Sequence, residues 1–174
     1  MTIIYRDVLP EDGRDLSANF SSFIDELEEN PNLGFVLRKE KPTKSEELRW
    51  FTNYYETIES GNGVATVAVD DMAGVVGVCD VERRSPGSYV SHRGELGIAI
   101  RKEFRSKGIG IELLRSTLEK CRGRFDVIEL RVFSINPARK LYECFGFQSY
   151  GHDSYGVYRN GKYFEEELMY LKLT

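Results

Sequence analysis

Nothing in these 174 residues approaches eighteen consecutive apolar positions, which excludes reading any segment as a membrane-spanning helix. The opening "MTIIYRDVLPEDGRD" lacks the basic start, apolar middle and small-residue cleavage site of a secretory signal, so the cytoplasm is the expected location. Cysteine is scarce: Cys79, Cys121 and Cys144 are an odd number with no C-x-x-C pair, which speaks against a disulfide framework and for reduced, packed thiols. Only two histidines occur, His92 and His152, without partners at ligand spacing, so no metal is expected. There is no basic surplus either. The 24 Lys and Arg against 28 Asp and Glu leave a net charge of −4, which weighs against nucleic acid and suits a cationic partner. Repeats and low-complexity linkers are also missing, and the length fits one domain, residues 1–174, with a full core.

What is present is an alternation of helical and strand periods. Phe20, Phe23, Ile24 and Leu27 fall on one helix face, which "NPNLG" ends. Thr43 and Glu46 are spaced as a capping box before a second helix carrying Leu48, Phe51, Tyr55 and Ile58 on a shared face. "VATVAVDDMAGVVGVCDVE" then reads as a β-hairpin turning at Asp70 to Gly74. A loop, "RRSPGSYVSHRG", leads to a short strand at Glu95 to Ile100. A helix from Gly108 has Ile111, Leu114, Leu118 and Cys121 facing the sheet. "VIELRVF", Val127 to Phe133, is a strand. Asn136 and Pro137 are placed as N-cap and first residue of a short helix ending near Gly146. The Asn160-Gly161 pair predicts a closing hairpin.

The stretch "RSKGIG", Arg105 to Gly110, lies where the Glu95 to Ile100 strand gives way to a helix. A helix starting at Gly108 leaves its first N–H groups without intrahelical acceptors, and the aligned peptide dipoles add partial positive charge. Gly108 and Gly110 let an anion approach the bare backbone, with Arg105 and Lys107 adding charge, so phosphate is the expected guest. The glycines could equally serve only a tight turn. A dinucleotide fingerprint would need glycine where Leu113 stands, and a Walker loop would need G-x-x-x-x-G-K-[ST]; neither fits.

The spacing R-x-x-G-x-G resembles the acyl-CoA signature of the GNAT superfamily of N-acetyltransferases. Some thirty residues on, "LRVFSINPARKLYECFGFQSYG" is similar to that family's strand, splay and helix ending in L-Y-x-x-x-G-F, met by Leu141, Tyr142, Gly146 and Phe147. The tail "GVYRNGKYFEEELMYLKL" is similar to the closing hairpin of branches that acetylate ribosomal-protein N-termini or small-molecule amines. The specific match runs from about Arg93 to Leu173, and residues 1–90 agree only in element order. The resemblance implies an α/β fold: a mixed, mostly antiparallel central sheet of about six or seven strands flanked by about four helices.

It further implies an acetyl-CoA-dependent N-acetyltransferase acting on a primary amine, such as a polypeptide N-terminus, a polyamine or another small amine, by direct transfer in a ternary complex. The loop Arg105, Ser106, Lys107, Gly108, Ile109 and Gly110 would hold the CoA pyrophosphate. The strand residues Ile98, Ala99 and Ile100 would pair with the pantetheine arm, whose amides need partners once buried. Asn136 and Arg139 complete the implied cofactor contacts. The family usually carries asparagine seven residues before the tyrosine, but here Ile135 stands there and Asn136 is shifted by one, so capping alone can account for it. A dimer through the late strands is also suggested by the resemblance.

The chemistry asks for a proton acceptor, since an amine of pKa near 10.4 is neutral in only about one molecule in a few thousand at pH 7. It also asks for a donor to the departing thiolate, each transfer giving roughly 10²- to 10⁴-fold. By resemblance Tyr142 is the acid and Glu95 the base, with His92 or Glu82 as alternatives to Glu95, and with helix packing as the other reading of Tyr142. Cys144 lacks a nearby histidine and reads as packing rather than as a nucleophile. Glu26, Glu28, Glu29, Glu56, Glu59 and Glu165 to Glu167 could steer a cation or simply be solvated faces. Two other readings remain open: a non-catalytic acyl-CoA sensor, and a nucleotide-binding domain unrelated to CoA.

Overall fold

A computed structural model describes residues 2–34 and 38–173. The elements run β1 (Ile3–Arg6), α1 (Gly13–Glu29), α2 (Lys44–Glu59), β2 (Gly63–Asp70), β3 (Gly74–Arg83), β4 (Arg93–Ile100), α3 (Ile109–Cys121), β5 (Val127–Phe133), α4 (Arg139–Cys144), β6 (Gln148–Arg159) and β7 (Lys162–Lys172). The strands form one seven-stranded sheet in the order β1-β2-β3-β4-β5-β7-β6. Every neighbouring pair is antiparallel except β4 with β5. This is the mixed, mostly antiparallel sheet with four helices that the resemblance implies.

Period-2 alternation gives the sheet two covered faces. On one face Cys79, Val81, Leu96 and Ile128 pack under Leu113, Leu114 and Leu118 of α3 and Tyr142 of α4. On the other, Ala65, Val67 and Val75 pack under Leu16 of α1 and Tyr54 of α2. Asn19 and Asp15 of α1 clamp the start of β3: Asn19 Nδ2 donates to the Val75 carbonyl at 2.7 Å, and the Val75 N–H donates to Asp15 Oδ2 at 3.0 Å.

Local signals form where expected. Thr43 Oγ1 accepts the Glu46 N–H at 3.3 Å while Glu46 Oε2 accepts the Thr43 N–H at 2.8 Å, closing the capping box. Asn160 and Gly161, at φ 51° and 77°, turn the last hairpin. Three side-chain assignments differ from the sequence pattern. Leu48 is 70% exposed, because α2 docks through its second half, where Tyr54 is the buried residue. Ile111 is likewise exposed on α3, whose core face is Ile109, Leu113, Leu114, Thr117, Leu118 and Cys121. Cys144 is exposed rather than packed, since the six-residue α4 turns Tyr142 inward and leaves Cys144 outside.

The feature that positions the site is a fork. β4 and β5 pair only at Arg93 with Val127, Gly94 with Ile128 and Glu95 with Glu129; beyond that they diverge. β4 stays paired with β3 to Ile100, so the gap opens on its β5 side.

Candidate active site

The fork opens into a cleft of about 1050 Å³, at the upper end of the range for ligand pockets, bounded by α1, α2, the 105–110 loop and α4. Its β4 wall follows from backbone arithmetic. The Arg93 carbonyl accepts from Arg84 N–H and the Arg101 N–H donates to the Val76 carbonyl, with no register shift between them. Alternation therefore turns the backbone of Gly97 and Ala99 toward β3, and that of Ile98 and Ile100 into the fork. Ile98 and Ile100 thus offer unpaired strand edge to an extended guest. Ala99 does not: it lines the cleft, but its polar backbone belongs to β3, which corrects its expected role as an anchor. The Ile100 carbonyl is already taken by Arg105 Nε at 2.8 Å.

At the end of β4 the chain makes one 3₁₀ turn and enters the loop. Ser106 and Gly108 both have positive φ, 60° and 80°, and Gly108 is the N-cap of α3. Successive amides flanking left-handed residues form a concave nest for anions. Among the described residues, the N–H groups of Ser106, Lys107, Gly108, Ile109 and Gly110 have no acceptor. A Cβ built on Gly108 would meet nothing within 4 Å, so the space above it is open to a guest. Ser106, Gly108 and Gly110 line the cleft, whereas Ile109 is buried in the core and Lys107 leans over the Phe104 ring at 5.1 Å. The nest offers backbone, not the Lys107 side chain.

Two cationic side chains assigned to the cofactor are spent on the fold. Arg105 pairs bidentately with the buried Glu26 at 2.5 and 2.7 Å, tying the loop to α1. Arg139 does not line the cleft; its guanidinium is ion-paired with the buried Glu167 and reaches Glu143 at 3.5 Å, fastening α4 to β7. Asn136 lines the cleft, and its Oδ1 accepts the Ala138 N–H at 2.9 Å in an Asx turn; α4 itself starts at Arg139 with Ala138 as N-cap, so the expected cap at Asn136 and helix start at Pro137 lie in the turn before it. Several of the acidic positions read as possible steering groups are also internal partners: Glu26, Glu29, Glu166 and Glu167 all hold cations within the chain.

Tyr142 is buried against Phe147, edge to face at 5.8 Å, and reaches the cleft. Its hydroxyl has no hydrogen-bond partner among the described residues, and burial pushes it well above the ordinary tyrosine range, so it stays protonated near neutrality. Glu95 is exposed and lines the cleft from the opposite face of the sheet. Across from it on β3 lies Glu82, pushed up first by desolvation and then by the Glu95 charge. His92, the alternative base, sits outside the cleft lining with Nδ1 against the Tyr89 carbonyl at 3.2 Å.

Asp80 escaped the sequence reading. It lines the cleft beside Glu95, and burial raises its carboxyl to about 7, with Glu82 adding to the rise while Tyr54 and the Gly97 N–H oppose it. Its period-2 place opposite Gly97 was legible, but the lid supplied by Tyr54 was not.

Residues 61–149 match the family profile of the acetyltransferase (GNAT) domain, half of the chain. The chain belongs to the GNAT acetyltransferase family. It is 34% identical over 93 residues to the L-amino acid N-acetyltransferase AaaT of Escherichia coli (strain K12), an overlap of 52% of this chain and 56% of that relative, so the match spans little more than half the relative's length. The crystal structure of the ribosomal-protein-alanine N-acetyltransferase of Brucella melitensis superposes with a TM-score of 0.82 at 20% identity, over 98% of this chain and 99% of that one. The phosphinothricin acetyltransferase of Sinorhizobium meliloti, solved with acetyl-CoA, gives 0.83 at 20% identity over 99% and 89%. At these identities the two structures speak for the GNAT fold. Within it, the five bare amides, the open space over Gly108 and the strand edge at Ile98 fit a phosphorylated, amide-containing guest such as acetyl-CoA.

Proposed function

We propose that this protein is an acetyl-CoA-dependent N-acetyltransferase that transfers the acetyl group directly to a primary amine. The observation that carries the reading is the run of five acceptor-less amides, Ser106 to Gly110, whose residues Ser106, Gly108 and Gly110 line the same cleft as the unpaired edge of β4. The nest neutralises the pyrophosphate through N–H donors and the α3 dipole, at no cost in flexible side chains. Ile98 pairs with the pantetheine amides as a neighbouring strand would. Bound in this way, acetyl-CoA would supply the activated acyl group.

The chain's own residues do the rest. Tyr142, on the α3–α4 side, donates its phenolic proton to the departing thiolate sulfur. A carboxylate on the α1–α2 side, Glu95 in the sequence reading, meets the acceptor amine. The relative AaaT is named for L-amino acids; the acceptor here is placed more broadly among polypeptide N-termini, polyamines and small amines. The protein is tested by calorimetric CoA binding and by thiol release from acetyl-CoA against a panel of such amines, with Tyr142→Phe alongside. Amine-dependent release that collapses in the variant is expected. CoA binding without release for any amine would replace this reading with that of a sensor, and absence of CoA binding would overturn it.

A further inference from the structure

The cleft on the α1–α2 side continues into a second cavity of about 310 Å³, lined by Glu82, Arg83, Arg84, Glu95 and Gly97. Asp80 stands at the junction and lines both. Its place follows from register: Asp80 pairs with Gly97 on β4, and period-2 alternation puts its side chain on the face of Val78 and Glu82, opposite the α3 core. Gly97 has no side chain to cover it, and a Cβ there would come within 3.0 Å of Asp80 Oδ1. The carboxyl is thus open along β4 toward the fork.

A second observation lies above it. Tyr54 is 6% exposed, and its hydroxyl, wholly buried, faces Asp80 without closing a well-formed hydrogen bond to any described group. A buried hydroxyl left without a partner costs about 1–3 kcal/mol, and the group this one faces is the Asp80 carboxyl, whose ionised form it favours by donation. The remaining charges around Asp80 are accounted for. Glu82 and Glu95 flank it from β3 and β4, and the Cys79 thiol next to it is buried and protonated. Arg83 donates to the Ser91 and Arg124 carbonyls, and Arg84 is paired with Glu129 at 3.2 Å, so both cations have other partners.

We propose that Asp80 is the group that takes the proton from the acceptor amine, with Glu95 holding the ammonium beside it and the side cavity returning that proton to solvent. The inference rests on the transferase reading above and names the proton path within it. The acceptor arrives as R–NH₃⁺ and gives one proton to the Asp80 carboxylate. The freed nitrogen lone pair forms the N–C bond to the acetyl carbon as the C–S bond breaks. Tyr142 gives its proton to the thiolate and is reprotonated with the second nitrogen proton, so the net release is one proton, lost from Asp80 through the side cavity. Asp80 is suited to this because its proton affinity is near neutrality, where a general base works best, whereas an ordinary aspartate is too weak. Tyr54 is a positioning residue, whose hydroxyl favours the ionised carboxylate.

The test uses the full chain in two measurements. In the free protein, carboxyl ¹³C titration is expected to show one aspartate with a midpoint of about 7, lost in Asp80→Asn and moved upward in Tyr54→Phe. With the best amine of the panel, kcat/KM of the wild type is expected to rise through the same midpoint. Asp80→Asn should lose this limb and fall roughly 10²- to 10⁴-fold at neutrality. Glu95→Gln should keep the limb and raise KM for the amine. If Asp80→Asn fails to fold, the upward displacement of the limb in Tyr54→Phe decides the question. An intact rate and limb in Asp80→Asn, an unmoved limb in Tyr54→Phe, or no carboxyl titrating near neutrality would overturn the assignment to Asp80 while leaving the transferase reading standing. CoA binding without transfer to any amine overturns both.

Discussion

The two sides of the fork solve the same problem, exposing polar atoms inside a protein, in opposite ways. On the α3–α4 side the polar atoms are backbone amides, held open by two left-handed residues and a helix start, while the nearby arginines Arg105 and Arg139 are turned away into ion pairs. On the α1–α2 side they are carboxylates, Asp80, Glu82 and Glu95, brought together by cross-strand register, with Tyr54 over Asp80 and with Glu82 and Glu95 exposed. The first side suits an anion of fixed shape, and its donors need no titration. The second suits a cation, and its behaviour depends on pH. Backbone donors are pre-organised; a carboxyl that is desolvated first and then faced by a like charge, as Asp80 is by Glu82, holds its proton more tightly and becomes a base.

The largest effect that would break this contrast lies at Gly108. Gly108→Val puts a β-branched side chain into the open space of the nest at φ 80°, and is expected to weaken CoA binding at least about 100-fold by calorimetry, with the fold retained by circular dichroism. Unchanged affinity would mean that the nest is only a turn. Next, Tyr142→Phe keeps the packing against Phe147 and removes the acid; kcat is expected to fall about 10²-fold with CoA affinity within about threefold. A smaller, purely structural effect is expected for Arg105→Ala, which strands Glu26, a residue 8% exposed. Because the Arg105 side chain is itself partly exposed, a loss of about 2–3 kcal/mol in urea unfolding is expected, at or below the low end for buried pairs. A loss of CoA affinity matching that of Gly108→Val would show that its charge, not the backbone, holds the phosphate.

The smallest effect sharpens the acidic side. The Asp80 carboxyl is raised to about 7 in the fold, against about 3.9 unfolded, so the folded state binds the proton more tightly. This stabilisation is complete below pH about 4 and is lost as pH rises through about 7. Asp80→Asn should therefore raise Tm at pH 8 relative to the wild type and show no such gain at acid pH, as read by differential scanning fluorimetry. An equal gain at both would place the carboxyl in an ordinary, solvated setting.

How far the sequence reached differs between the same two sides. The β5 strand has the bounds read from its apolar run, the Thr43 capping box closes, and the Asn160-Gly161 turn forms, because each is decided by interactions within a few residues. The glycine loop was legible for the same reason: a left-handed φ is a local requirement, and only its backbone matters. Leu48, Ile111 and Cys144 were misplaced because a helix stripe fixes a direction but not how much of the helix overlies the sheet. Arg105 and Arg139 looked like free cations since nothing in the chain order shows that Glu26 and Glu167 lie beside them.

The sequence alone therefore determined the elements, their order and the anion nest, all of them products of short-range sterics and hydrogen bonding. Tertiary structure decided which charges are spent and which are left to act. Asp80 becomes a base only when β3 meets Gly97 across the sheet and α2 lowers Tyr54 onto it, and desolvation of that kind arises from contacts tens of residues apart.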